Sequence, residues 1–277
     1  MPLLKDNRFK KKLRSVPDFV STIKILDCLY PPEEFKLFTV YGALGYGKSA
    51  YALKIVVDVI LHWFRNTING LEMDNPDRRE NAWELVKQLI VFHPKQFFEK
   101  LKSIREIGIR IPALIWDDAG LWLYALEWND PFIIRVGKYM NVARTWLASL
   151  IMTTPSPDYI FKKIRKFPQS FNISIIKTTG NKRGMNRFRR QAKAYLQYYH
   201  IIKGYRIKGV VYRDNFTCLM PDKFYEWYKP LRDSYEELAF NLMMEEWDKI
   251  EDKSKVLKIG DYASLKVPEI TLRIPKT

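Results

Sequence analysis

Two cysteines among 277 residues, Cys28 and Cys218, are too few and too far apart for a disulfide framework or a zinc site, so a reducing compartment is expected. No run of about 18 uncharged apolar residues occurs, and the N-terminus lacks the apolar stretch of a signal peptide. Neither a membrane span nor export is therefore expected, and the chain reads as soluble and cytoplasmic. Internal repeats and low-complexity segments are missing too, which excludes a repeat array. Acids are scarce: 31 Asp+Glu stand against 47 Lys+Arg, a formal net charge of +16. That balance disfavours a basic partner and favours a polyanion such as nucleic acid.

What is present is a chain 47% hydrophobic, enough for one large α/β core with additions. Its centre is Gly42-Ala43-Leu44-Gly45-Tyr46-Gly47-Lys48-Ser49. The stretch from Phe35 to Tyr41 alternates as a strand does, and Ala50 to Phe64 carries apolar residues at helical spacing. Strand, glycine loop and helix in that order are the context of a phosphate-binding loop. The glycines let the backbone turn its NH groups inward around a polyphosphate, Lys48 would lie between the β- and γ-phosphates, and Ser49 would offer its hydroxyl to Mg²⁺. ATP and Mg²⁺ are the expected ligands.

A second site is expected at Pro112 to Gly120, where a buried strand ends in Asp117-Asp118. Asp117 would hold the Mg²⁺, and Asp118 would act as general base on the attacking water. A further strand, Leu147 to Met152, ends in Thr153-Thr154-Pro155. Either threonine is a candidate to orient that water, with Thr154 taken as the catalytic one. Leu89 to Phe92 reads as a short buried strand, and Pro94 to Glu106 as a helix begun after a turn at His93. Arg135, Arg144 and Arg165 flank the third strand, and any of them would serve as an arginine finger toward a neighbouring subunit.

Residues 35 to 165 resemble the P-loop ATPases with an additional strand between the two Walker motifs, here Leu89 to Phe92, the division that includes AAA+, RecA-like and FtsK/HerA-like motors. The Asp117-Asp118 pair looks like the Walker B ending of DnaA- and DnaC-like proteins. The order of motifs is also similar to that of archaeal virus or plasmid ATPases and of Zot-like assembly proteins, although the latter would be expected to carry a membrane span. The C-terminal part departs from an AAA+ helical lid. Phe171 to Thr178, Ala194 to Ile202 and Tyr205 to Tyr212 read as strands.

The expected fold is thus α/β, a P-loop NTPase core with a mostly parallel sheet flanked by helices, plus C-terminal strands and a helical extension. The expected divisions are a basic N-terminal arm over 1–34, the ATPase core over 35–220, and a helical extension and tail over 221–277. Between Lys177 and Lys193 no acid occurs, and Lys182, Arg183, Arg187, Arg189 and Arg190 would contact a DNA backbone. Tyr195, Tyr198 and Tyr199 either stack bases or pack the sheet. The function expected is a Mg-dependent ATPase that works on DNA as a homo-oligomer, in replication, packaging or transfer of a mobile element. Two alternatives are an ATP-dependent loader that recruits a partner such as a helicase, and a small-molecule kinase.

Overall fold

The computed structural model describes residues 16–67, 76–127, 129–178 and 187–256. The strand before the glycine loop is β1 (Lys36–Tyr41), and the helix after it is α2 (Lys48–Thr67). Helix α1 (Val20–Asp27) precedes them, within the stretch expected to be a basic arm. The chain continues through α3 (Pro76–Lys87), β2 (Ile90–Val91), α4 (Pro94–Ile107), β3 (Leu114–Trp116), α5 (Pro131–Met140) and β4 (Ser149–Thr154). It ends with α6 (Lys162–Arg165), β5 (Phe171–Lys177), β6 (Arg189–His200), β7 (Gly204–Thr217) and α7 (Asp222–Val256).

The strands form one α/β sheet in the order β2-β3-β4-β1-β5-β6-β7. Strands β1 to β5 are parallel, β6 runs antiparallel to β5, and β7 runs antiparallel to β6. Every residue of β4 is buried, as parallel strands covered on both faces require. The short strand expected between the Walker motifs is β2, yet in space it lies outside β3 at the sheet edge. The strand that separates β1 from β3 is β4.

On one face, Leu53, Ile55, Val56 and Val59 of α2 are fully buried. On the other, Phe97 of α4 stacks on Trp116 at 4.6 Å and joins a core with Val136, Leu150 and Met152. Local chemistry starts and stops these helices. The His93 ring accepts from Lys95 N while Gln96 reaches back to the His93 backbone, and Gly108 closes α4 at φ 75°. Asp130 caps α5 ahead of Pro131.

The chain divides into two compact units with the boundary after Tyr228. The first turns of α7, in which Phe224 and Tyr228 are buried, belong to the first unit. Among the described residues no helix is long and apolar enough to cross a membrane.

Candidate functional site: a phosphate cradle beside an aspartate pair

The loop Gly42 to Gly47 leaves the carboxyl end of β1 and enters α2 at Lys48. Gly42 and Gly47 have φ of +148° and +86°, and both are crowded. A Cβ on Gly42 would meet the Ile175 carbonyl oxygen at 2.8 Å, and one on Gly47 would meet the Cys218 Cβ at 2.6 Å. Only glycine fits these positions. Ala43, Leu44 and Gly45 are exposed at the rim, while Tyr46 and Ser49 are half-buried. Lys48 is 7% exposed, and its ammonium donates to the Gly42 and Ala43 carbonyl oxygens at 3.0 and 3.3 Å. The cation thus lies over the cradle its own loop forms, where phosphate oxygens are the natural acceptors.

The antiparallel strands brace this loop from behind, which the sequence did not reveal. Arg190 Nε donates to the Tyr46 carbonyl at 3.1 Å, and its Nη1 donates to the carbonyls of Arg187 and Arg189. Arg190 is buried. It therefore does not fit the expected DNA-backbone contact: its guanidinium is spent on carbonyls beneath the cradle. The Lys177 ammonium sits 4.6 Å from the centre of the Tyr46 ring. Arg187 and Arg189 are exposed, and Lys182 and Arg183 lie outside the described residues.

The second part of the site is at the end of β3. Asp117 is fully buried; its Oδ1 accepts from the Thr153 hydroxyl at 2.6 Å, and its Oδ2 accepts from the Tyr228 hydroxyl. The same Thr153 oxygen accepts from Asp118 N at 2.8 Å. One hydroxyl at the tip of β4 therefore fixes both aspartates. Asp118 has φ 50°, a left-handed conformation that few side chains other than Asn and Asp tolerate, and one found at functional turns. Thr154, the threonine favoured from sequence, instead donates to the Ser156 carbonyl at 2.9 Å. It also lies against Gly120, where a Cβ would meet its Oγ1 at 2.4 Å.

Register brings the two parts together. Val40 pairs with Thr153 and Tyr41 with Thr154, while Trp116 pairs with Met152. The cradle and the aspartates therefore stand at the same carboxyl-terminal end of the strands, two strand spacings or about 10 Å apart. Gly42 N donates to the Pro155 carbonyl at 3.3 Å, tying the cradle to the end of β4 directly.

No cluster of three or more His, Cys, Asp or Glu side chains suited to a metal occurs among the described residues. The residues present fit Mg²⁺ of the kind shared with a nucleotide, which needs one or two protein oxygens and takes the rest from phosphate and water. Ser49 and Asp117 would offer those oxygens. Of the arginine-finger candidates, Arg135 and Arg144 are exposed and Arg165 is ion-paired with Asp158. Burial, with Tyr195 alongside, raises the pKa of Tyr41 beneath the cradle despite an opposing hydrogen bond with Ser174. A cleft of about 930 Å³ lies elsewhere, lined by Lys54, Trp83, Phe216 and Phe224; neither the loop nor the aspartates line it.

No family model matches the chain. It is 29% identical over 241 residues to the uncharacterized protein B-251 of Sulfolobus spindle-shape virus 1, an alignment spanning 86% of this chain and 88% of that protein. It is 25% identical over 146 residues to the uncharacterized protein ORF286 of Acidianus two-tailed virus, spanning 52% of this chain and 44% of that one. Among solved structures it resembles a KaiC-like protein from the hyperthermophilic archaeon Pyrococcus horikoshii, at TM-score 0.33 and 12% identity, over 62% of this chain and 88% of that one.

Proposed function

We propose that the chain is a Mg-dependent ATPase of the additional-strand division that acts on nucleic acid as a homo-oligomer. The observation that carries this reading is the bridge from Thr153 to both Asp117 and Asp118, on a strand inserted between β1 and β3. A carboxylate two strands from the phosphate loop leaves the width of β4 for a γ-phosphate and a water. Loop NH groups and Lys48 would grip the β- and γ-phosphates, Ser49 and Asp117 would hold Mg²⁺, and Asp118 would accept a proton from the attacking water. Mg²⁺, when bound, supplies charge neutralisation on the transferring phosphoryl group.

Work on DNA in a mobile element is supported by the net charge of +16 and by relatives in two archaeal viruses. The test is release of phosphate from ATP with and without single- and double-stranded DNA. Lys48→Ala is expected to abolish turnover, and Asp118→Asn to keep nucleotide binding while turnover falls by about a hundredfold or more. Normal hydrolysis by Lys48→Ala would remove the site, and phosphate transfer to a small acceptor in place of release would make the protein a kinase.

A further inference from the structure

The sequence from Tyr159 to Arg213 contains no Asp or Glu. Much of it builds β5, β6 and β7, and strand alternation sorts its residues onto two faces. Ala192, Ala194, Asp214 and Phe216 are buried on the face where Asp214 and Tyr212 bond α1 and Tyr51 of α2. The opposite face presents Arg189, Gln191, Lys193 and Tyr195, half-buried to exposed. Register sets Asn215 beside Gln191 and Arg213 beside Lys193, while β5 adds Ser174 and Asn172, and β1 adds Tyr41 next to Ser174.

Two further features lie on this face. Asn172 and Gln197 are 6% and 3% exposed and bond each other through Asn172 Nδ2 and Gln197 Oε1 at 3.2 Å. That leaves Asn172 Oδ1, an acceptor, and Gln197 Nε2, a donor, without partners. Buried polar atoms of this kind are normally satisfied, and this pair lies beneath the surface of the face, closed to a base resting on it. Beyond the pairing of Leu196 with Phe171, β6 and β7 continue past β5 as a two-stranded ribbon. There Tyr199 and Tyr205 meet edge to face at 5.2 Å and are 57% and 42% exposed.

We infer that this face, from Arg189 and Lys193 to the ribbon tyrosines, is a track for single-stranded nucleic acid. The inference deepens the proposed function and rests on it in taking the polyanion to be nucleic acid. Arg189, Lys193 and Arg213 stand toward one end of this face and Tyr195, Tyr199 and Tyr205 toward the other, along strands of 12 and 14 residues, a path of about 40 Å. Exposed tyrosine rings serve unpaired bases, which offer the ring faces that a duplex conceals. The track ends at Tyr41, one residue before the phosphate loop, and Arg190 beneath it bonds Tyr46 within that loop. Strand and nucleotide would thus share one rigid support.

The test is fluorescence anisotropy of the full chain, without nucleotide, against a labelled oligothymidylate of about twenty bases, a duplex of equal length and vesicles rich in phosphatidylserine. The single strand is expected to bind tightest. Tyr199→Ala with Tyr205→Ala should weaken it about tenfold or more. Lys193→Gln with Arg213→Gln should reduce the slope of log K against log salt by about 1.4. Binding of a fluorescent ATP analogue reports that each variant is folded. Unchanged affinity in both double variants, or tighter binding of duplex or vesicles, overturns the track. Oligonucleotide binding lost in the tyrosine variant, in a protein that never hydrolyses ATP, would uphold the track and remove the ATPase reading.

Discussion

Asp117 has both carboxylate oxygens engaged by hydroxyl groups, Thr153 from the neighbouring strand and Tyr228 from a helix 111 residues away. A buried carboxylate needs such donors, because an unpaired charge inside a protein is costly. Tyr228 stacks on Phe224 at 6.2 Å and faces Phe92 at 5.9 Å, so its ring is held while its hydroxyl reaches the acid. Nothing local in the sequence marks Tyr228 as a partner of Asp117. Tyr228→Phe keeps the packing and removes one donor. It is expected to lower stability by about 1–3 kcal/mol in urea unfolding. It should also weaken Mg-dependent binding of the nucleotide analogue while leaving binding in EDTA unchanged. Equal Mg²⁺ dependence in variant and parent would make Tyr228 a packing residue only.

Among elements, those legible in the sequence were the ones whose signals are local. The glycine loop stands between an alternating strand and a periodic helix, and α4 begins at a proline after a capping histidine and ends at Gly108. The Asp130-Pro131 start of α5 is equally local. Helix α1 is different. It has eight residues, and Phe19 at its N-cap offers no side-chain hydrogen bond. Its cap comes from Asp214 on β7, whose Oδ1 accepts from Val20 N at 2.8 Å and whose Oδ2 accepts from Ser21 N at 3.3 Å. Tyr51, in the first turns of α2, donates to the same Oδ2 at 2.6 Å. A cap supplied from 194 positions away leaves no trace in the segment it caps. The placement of β4 between β1 and β3 is equally non-local, since it depends on pairing and not on chain order. Asp214→Ala removes three bonds from a buried site at once. The expected loss is about 3 kcal/mol or more, seen as a lower unfolding midpoint with early amide exchange in α1. Full protection of α1 in that variant would show that its apolar contacts with α2 suffice.

For the molecule as a whole, the division after Tyr228 predicts where the chain can be cut. Phe224 and Tyr228 are 2% exposed and belong to the core of the first unit. Among residues 229–241 and 243–245 none is buried, and Leu238, Phe240, Met243 and Met244 are 37% to 56% exposed. A helical stretch with no buried side chain contributes little to the stability of the rest, because packing of an apolar face supplies most helical stability in proteins. Pro230, inside α7, also removes one backbone donor just past the boundary. A chain ended after Arg232 is therefore expected to unfold within a few degrees of the full protein and to bind the nucleotide analogue equally well. One ended after Leu219 loses both buried rings and the Tyr228 bond to Asp117. Two large aromatic truncations cost about 3–5 kcal/mol each, comparable with the net stability of a typical domain, so this shorter chain is expected not to fold. Scanning calorimetry of the two truncations decides the matter: a cooperative transition in the shorter chain, or its loss in the longer one, would move the boundary of the first compact unit.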